Sequence, residues 1–450
     1  METKKVMTTG NSLALLVRFA IPLMIGDIVQ QIYTIADSIV VGRLIGINAF
    51  ASVNAAGSLY WLILVILFGF SHGFGILIAQ SFGAKDYAGL KCICISSLYL
   101  ALAFGIILTA ASLISVKPVL LLMRTPSDIL AGTITYTTIL FSGILFTFLN
   151  NVLFSIFRAL GNSKMPLYVF MACSVLNVIF DIVLVIYTSL QIAAVALATV
   201  SVQILSTIFC LWYLIKNTGL QFDRQDFRIN MTIIKNLLRL GIPIGLRDCI
   251  SAAGGIIIQY FINGYGTIYI AGIAAAKKLY SVLFVIGGGI DGAIAVFTAQ
   301  NYGAGKFDRI KQGIAAARYI MAAGLAVIIP VTMFYGRKIL RLFMEDNNAQ
   351  INAVLDIAVE QMTVCLILLP FLYVLFLYRS ALQGLGNSFM PMLSGIMEAG
   401  LRILGVVILP VFFGKWGIYI AEPIGWPIMA IQLCISFAVV YKNKKRRRAQ

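Results

Sequence analysis

Long apolar runs recur along the whole chain and are separated by short polar segments. Several of them exceed the roughly 20 residues that a helix needs to cross a bilayer core of about 30 Å. Because backbone groups inside a bilayer must bond within their own segment, these runs are predicted to be helices. The pattern predicts twelve transmembrane helices, at residues 13–36, 48–74, 90–114, 130–154, 166–188, 191–215, 238–262, 268–297, 314–336, 352–378, 391–413 and 417–441.

The second half of the chain repeats the first half. The matching segments are Ala51–Lys91 with Ala271–Lys311, which contain AQSFGA and AQNYGA, and Leu160–Pro166 (LGNSKMP) with Leu385–Pro391 (LGNSFMP). Gly69 and Gly289 are equivalent at the same offset of 220 residues as the first pair of segments. A unit of six spans starts and ends on one side of the membrane, so we predict parallel repeats related by an axis along the membrane normal.

The repeat and a polar central segment define the domain organisation. We predict an all-α integral membrane protein with an N-terminal six-helix lobe at residues 1–215 and a cytoplasmic linker at 216–237. A C-terminal six-helix lobe follows at 238–441, and a basic cytoplasmic tail at 442–450. Hydrophobic residues make up 60% of the chain and charged residues 11%. Soluble domains are nearer half apolar and a quarter charged, so the composition excludes a water-soluble fold.

The formal net charge of +17 is distributed unevenly between the two sides of the membrane. With both termini in the cytoplasm, 23 of the 34 Lys and Arg residues fall on the cytoplasmic side and 7 on the opposite side. This bias predicts a multi-pass protein of the cell (plasma or inner) membrane with both termini cytoplasmic. The tail Lys442–Arg448 is then interpreted as a contact for anionic lipids rather than as a nucleic-acid-binding arm.

A few polar side chains lie inside predicted spans or, like Asp37, at the far end of one, and a charge at the bilayer centre is costly. Asp37 and Tyr33 are one turn apart on the first span, Asn177 and Asp181 one turn apart on the fifth, and Thr199 lies on the sixth. Residues four apart share a helix face. Two carboxylates, an amide oxygen and a hydroxyl are ligands for a hard monovalent cation, and paired carboxylates also favour binding a proton. We therefore predict a site for Na⁺ or H⁺.

The second half has buried charges of its own and no catalytic signature. Its charged residues within spans are Arg247, Asp248, Asp291, Glu398 and Arg402, for which we favour structural pairing of acid with arginine. The sequence contains no Walker or P-loop spacing, nucleophile elbow or zinc signature. We therefore expect no enzymatic activity, and no cofactor other than a coupling ion.

The motifs resemble those of the multidrug and toxic compound extrusion (MATE) family. They are IADSIVVGRLIG on the first span, AQSFGAKD after the second and the two LGNSxMP hairpins. The resemblance implies two six-helix lobes in a V around a central cavity, which export organic, often cationic, compounds in exchange for Na⁺ or H⁺. It also implies that Asp37, Asn177, Asp181 and Thr199 form the N-lobe ion site of a prokaryotic branch, holding Na⁺ if the protein is sodium-coupled. Pro22 matches the proline at which the first helix bends.

Several alternatives remain at this stage. Arg247 and Arg402 keep open a flippase for a lipid-linked precursor in the same superfamily, because cationic side chains suit its phosphate groups. Phe154, Phe157 and Met171 are candidates for the substrate cavity, although core packing explains them equally well. As partners we expect small-molecule substrates and membrane lipids but no nucleic acid, and we expect a monomer.

Overall fold

A computed structural model describes residues 6–341 and 351–449, and the regular elements in these ranges are all helical. The helices in this part of the chain are α1 (Ser12–Leu44), α2 (Ile47–Gly83), α3 (Tyr87–Leu122), α4 (Ser127–Ser142), α5 (Ile144–Ala159), α6 (Lys164–Tyr187), α7 (Ile192–Asn217), α8 (Met231–Asn263), α9 (Thr267–Gly303), α10 (Phe307–Arg341), α11 (Ile351–Gly384), α12 (Phe389–Phe413), α13 (Lys415–Ala421) and α14 (Gly425–Ala449). A short 3₁₀ helix at Arg224–Phe227 lies between α7 and α8.

The helices confirm a membrane protein with the predicted number of spans. Eleven helices of the described ranges are long and apolar enough to cross a bilayer, and the count is twelve if α4 and α5 form one span. The fourth predicted span, 130–154, corresponds to the pair α4 and α5, between which the chain bends by 46°. The break lies at Gly143, whose N–H donates to Leu140 O three residues back rather than four. A Cβ at this glycine would lie 2.8 Å from Val200 Cγ2 of α7.

The helix bounds reproduce the internal repeat. Both ends of α2 and α9 are related by the offset of 220 residues seen in the sequence, and α1 and α8 have 33 residues each. The start of α6 at Lys164 corresponds to the start of α12 at Phe389. The same sequence motifs therefore end and begin helices in both halves.

The chain divides into two compact units, and both α1 and α8 are shared between them. Of the described residues, the first unit contains Val6 and Ile25–Gly245, and the second contains Met7–Met24 and the residues from Leu246 onward. These division points differ from the predicted domain bounds: the first half of α1 packs with the second unit, and the first half of α8 packs with the first unit. Pro22 and Pro243 lie inside the two helices close to these points.

Glycines allow the first half of α8 to pack tightly inside the first unit. A Cβ on Gly73 of α2 would lie 2.6 Å from Gly241 Cα, and a Cβ on Gly69 would lie 2.5 Å from Gly245 Cα. The equivalent of Gly69 in the second unit is Gly289 of α9, where a Cβ would overlap the side chain of Met24. The repeated glycine therefore lies at equivalent contacts in the two units: Gly69 of α2 packs against α8, and Gly289 of α9 packs against α1.

The repeated AQNYGA motif holds the beginning of the chain in the second unit. Gln300 Oε1 accepts a hydrogen bond from Met7 N at 2.8 Å, and Asn301 Nδ2 donates to Met7 O at 3.2 Å. Arg309 Nη1 donates to Gly10 O at 3.0 Å. The polar side chains of this motif thus satisfy backbone groups that precede α1, which would otherwise be buried without partners.

Candidate functional site

The second half of α1 and the helices α6 and α7 bring the predicted ion-site residues together in the first unit. Asp37 and Tyr33 lie one turn apart on α1. On α6, Asn177 is 3% exposed and Asp181 is 0% exposed, so both are deeply buried. Thr199 lies on α7, where its hydroxyl donates to Val195 O at 3.1 Å. The sequence folds this way because long apolar runs make each helix, while the polar positions share inward faces.

The Asn177 amide links α1, α6 and α7. In the orientation that satisfies its neighbours, Nδ2 donates to Tyr33 Oη at 3.0 Å and to Asp181 Oδ2 at 3.0 Å. The amide oxygen accepts from the backbone N of Thr199 at 3.1 Å. The side chain of Asn177 therefore holds Asp181, Tyr33 and the backbone of Thr199 in fixed positions relative to one another.

The carboxyl groups of Asp37 and Asp181 face each other. Their oxygen atoms lie within hydrogen-bonding reach of each other. Two ionised carboxylates both lack a donor, so they can interact favourably only if a proton or a cation is shared between them. One oxygen of each group, Oδ1, is buried and has no hydrogen-bond partner. Within residues 6–341 and 351–449, no Lys or Arg forms an ion pair with either group. The two carboxyl groups thus have buried oxygen atoms that lack both a hydrogen-bond donor and a basic partner.

This donor set suits a hard monovalent cation or a proton. Carboxylate, amide and hydroxyl oxygens are the ligands that hard cations prefer, and softer metals favour sulfur or imidazole. The described part of the chain has no cluster of three or more His, Cys, Asp or Glu side chains.

Two tyrosines that the sequence analysis missed extend the site. Tyr136 of α4 is 5% exposed and lies near both carboxylates. Tyr60 of α2 accepts from Gln203 Nε2 at 3.1 Å, and Gln203 Oε1 accepts from the Thr147 hydroxyl at 2.7 Å. These hydroxyl groups form a polar layer beside the carboxylate pair. A single tyrosine in an apolar run carries no periodic signal, so only the packing of α4 against α7 identifies it.

A second acidic group on α1 was also missed. Asp27 lies near Arg158 of α5, and the Arg158 guanidinium is also 3.5 Å from Ser155 Oγ. Asp27 is separated from Asp37 by almost three turns of α1, so the two acids occupy different levels of the helix.

The other predicted residues lie away from this pocket or in the core. Pro22 lies within α1 in the portion that packs with the second unit. Phe157 is 1% exposed and packs edge-on against Tyr213 of α7, with ring centroids 5.5 Å apart. Phe154 is half-buried, and Met171 is exposed on α6. The substrate-cavity assignment of these residues stays a prediction, and for Phe157 the structure supplies a packing contact.

The buried charges of the second unit pair with each other. Arg247 contacts the neighbouring Asp248 at 2.6 Å, and Arg402 contacts Glu398 one turn away at 2.6 Å. Asp291 accepts a hydrogen bond from Ser380. Arg379, which was not among the charged residues predicted within spans, lies 3.9 Å from Asp291 through Nη2 and Oδ1.

Comparison with known proteins gives matches over the whole chain. The sequence profile of the family described as MatE matches residues 22–183 and 243–408, one match in each half of the repeat. A protein named "Probable multidrug resistance protein YoeA" from Bacillus subtilis (strain 168) is 29% identical over 339 residues, which cover 73% of each chain. "Multidrug export protein MepA" from Staphylococcus saprophyticus is 24% identical over 435 residues, which cover 96% of this chain and 94% of the relative.

Solved structures share the fold. A transporter of the MOP superfamily from Pyrococcus furiosus superposes with a TM-score of 0.91 at 21% identity, covering 99% of both chains. A structure described as MATE in the bent conformation gives a TM-score of 0.90 at 21% identity and covers 100% of both chains. The arrangement of helices is therefore that of known membrane transporters.

Proposed function

Because the chain belongs to the MatE family, we propose that it is a secondary active efflux transporter that exchanges organic, often cationic, drugs or toxic compounds for Na⁺ or H⁺. The relatives described above are named as multidrug resistance and multidrug export proteins, and together they match most of this chain. They do not favour the flippase alternative. We propose transport without a catalytic step, in the cell membrane and with both termini cytoplasmic.

The observation that carries the coupling proposal is the buried pair of Asp37 and Asp181. Each carboxyl group keeps one oxygen without a partner, and no basic side chain of the described ranges neutralises the pair. An isolated buried charge is strongly unfavourable, so the pair favours binding one positive ion or proton. We propose that this ion is the coupling ion and that small molecules, rather than nucleic acids, are the substrates.

Each residue has a distinct proposed role. Asp37 and Asp181 supply the charge that binds the ion, and the Thr199 hydroxyl is a neutral oxygen ligand. Asn177 positions Asp181, because its Nδ2 donates to Asp181 Oδ2 at 3.0 Å. Tyr33 orients Asn177 through the 3.0 Å hydrogen bond to its amide. Since the ligands come from α1, α6 and α7, ion binding strengthens the packing of α1 against the other two helices.

Export follows if the ion and the substrate prefer different conformations. A ligand shifts a conformational equilibrium only by the difference between its affinities for the two states. We propose that ion binding favours the state in which α1 packs closely on α6 and α7, and that this state releases the substrate. Pro22 is the proposed bending point, because proline interrupts the backbone hydrogen bonding of a helix.

The test is efflux from proteoliposomes of a fluorescent organic cation under an imposed Na⁺ gradient or, separately, a pH gradient. Asp37→Asn and Asp181→Asn should each abolish gradient-driven efflux without reducing membrane insertion, and Thr199→Ala should reduce it less. Asp128→Asn is the matched control, since Asp128 is exposed in the first turn of α4. The gradient that drives wild-type efflux identifies the ion.

Two results would contradict the proposal. Efflux at the wild-type rate by either Asp→Asn variant of the pair, at normal expression, would exclude the carboxylate site as the coupling site. Gradient-independent movement of the dye by the wild-type protein would exclude secondary active transport.

A further inference from the structure

A basic cavity lies between α10, α11 and α14 in the second unit, far along the chain from the carboxylate pair. Its volume is about 720 Å³, within the roughly 300–1,000 Å³ typical of small-molecule sites. Five cationic side chains line it: Lys311, Arg318, Lys442, Lys445 and Arg446. The proposed transport mechanism uses none of them.

Helix geometry explains why these charges converge. Lys311, Ile314 and Arg318 are spaced by three and four residues and so line one face of α10. Phe437, Tyr441 and the basic residues after it form one face of α14 in the same way. Tyr378 of α11 lies between the two faces. The cavity is therefore built by three helices, and is not a feature of the basic tail alone.

The charges in the cavity are mostly not neutralised by the protein. Lys445 pairs with Asp308 at 2.9 Å. The other four cations form no ion pair with a carboxylate in residues 6–341 and 351–449. Lys311 Nζ lies 5.3 Å above the ring of Tyr441, which positions the ammonium group toward the cavity. Several like charges close together repel each other, so an anionic ligand would stabilise this arrangement.

The cavity also has an apolar part of its lining. Ile314 and Phe437 add apolar surface between Lys442, Lys445 and Arg446 near the end of α14 and the deeper cation Arg318 of α10. Arg318 is seven residues beyond Lys311, about 10 Å further along α10. The next residues on α14 with exposed apolar side chains are Val439 at 53% and Ile435 at 61%. A soluble phosphate would contact only the cations, whereas a lipid would also contact the apolar side chains.

We propose that this cavity binds the headgroup of an anionic phospholipid, with the phosphate among the cations of α10 and α14 and an acyl chain along the apolar side of α14. Basic pockets between transmembrane helices are a known mode of binding for anionic headgroups. Bound lipid would hold α10 and α14 together beside α11. This inference concerns a lipid site, and it does not depend on the proposed transport activity.

The test measures phospholipid binding to the purified, delipidated full-length protein by native mass spectrometry. Phosphatidylglycerol should bind more tightly than phosphatidylcholine with the same acyl chains. In the triple variant Lys311→Gln, Arg318→Gln and Lys442→Gln, the dissociation constant for phosphatidylglycerol should rise about tenfold or more. The matched control is Lys216→Gln, Arg228→Gln and Lys235→Gln, which removes the same charge from exposed positions outside the cavity and should have little effect.

A second variant tests the cavity without changing its charge. Ala438→Trp fills the space from an exposed position on α14, and it should weaken phosphatidylglycerol binding while the protein stays folded. Equal binding of the two lipids, an equal loss in the control triple variant, or unchanged binding by Ala438→Trp would each overturn the proposal. Competition by glycerol phosphate as strong as by the lipid would show a soluble-phosphate site and would also overturn it.

Discussion

At the scale of single residues, the carboxylate pair explains how an ion could control the first helix. A charge at the bilayer centre costs about 2.5–3.5 kcal/mol on insertion scales. Asp37 and Asp181 lie within hydrogen-bonding reach of each other and lack a basic partner in the described ranges, so binding a proton or a cation removes part of that cost. Because Asp37 is on α1 and Asp181 on α6, the proposed coupling ion would link the electrostatic energy of the site to the position of α1.

Tyr33 provides the first prediction at this scale. Tyr33→Phe keeps the ring but removes the oxygen that accepts from Asn177 Nδ2 at 3.0 Å. A typical intramolecular hydrogen bond contributes about 0.5–1.5 kcal/mol, so the coupling-ion concentration for half-maximal efflux should rise roughly two- to tenfold. The measurement is the initial efflux rate of a fluorescent cation as a function of Na⁺ concentration or pH.

The control for this variant is Tyr187→Phe. Tyr187 is 81% exposed at the end of α6, so loss of its hydroxyl should leave the ion dependence unchanged. If Tyr33→Phe and Tyr187→Phe have the same ion dependence as the wild type, Tyr33 does not position the site.

The sequence predicted Tyr33 and the acidic and amide residues of the candidate site, but not Tyr60 and Tyr136 beside them. Asp181 and Asn177 are detectable because a carboxylate and an amide in a long apolar run are rare. Tyr136 is not detectable in this way, since tyrosine is common in membrane helices. Asp27 near Arg158 was missed because the partner lies on α5, and no local pattern connects the two residues.

At the scale of helices, hydropathy predicted how many spans exist but not how they bend or where they end. The fourth span is apolar on both sides of Gly143, so a hydropathy pattern cannot distinguish one helix from two. The second span was predicted to end at residue 74, yet α2 continues to Gly83. The additional turns contain the repeated AQSFGA motif, which is less hydrophobic and packs within the protein.

Close packing of α2 against the first half of α8 gives the second prediction. Gly73→Ala places a methyl group where Gly241 Cα would be 2.6 Å away, so one of the two backbones must move. Overpacking typically costs about 1–3 kcal/mol. The variant should therefore have a lower melting temperature in detergent, measured by fluorescence-detected size-exclusion chromatography after heating.

Gly57→Ala is the matched control in the same helix. A Cβ at Gly57 meets nothing within 4 Å, and alanine favours the helix over glycine by about 1 kcal/mol. Its melting temperature should be equal to or higher than that of the wild type. A Gly73→Ala protein as stable as Gly57→Ala would show that the contact between α2 and α8 tolerates a methyl group.

At the scale of the whole molecule, the sequence repeat predicted two related halves but not the sharing of α1 and α8 between two units. Hydropathy and motif order describe segments one after another, whereas the units are defined by contacts between distant segments. The contacts of Met7 with Gln300 and Asn301 are an example, because nearly 300 residues separate the partners. Such pairings depend on packing, and a single sequence contains no local signal for them.

The last prediction concerns the orientation of the molecule in the membrane. The positive-inside rule places the segment between α7 and α8 in the cytoplasm, because that choice collects 23 of the 34 Lys and Arg residues on one side. Arg224 lies in this segment and is exposed, and the segment is held to α3 by the ion pair of Lys91 with Asp223 at 3.2 Å. A cysteine at this position should therefore be accessible to reagents only from the cytoplasm.

The measurement uses a background in which the seven native cysteines are replaced, since all of them are free thiols. Arg224→Cys should not react with a membrane-impermeant maleimide in intact cells, but should react after the membrane is permeabilised. Lys117→Cys is the matched control, because Lys117 is exposed and is predicted to lie on the opposite side; it should react in intact cells. Labelling of Arg224→Cys and protection of Lys117→Cys in intact cells would reverse the orientation. The Lys and Arg bias would then have to arise from something other than membrane insertion, since insertion places most basic loop residues in the cytoplasm.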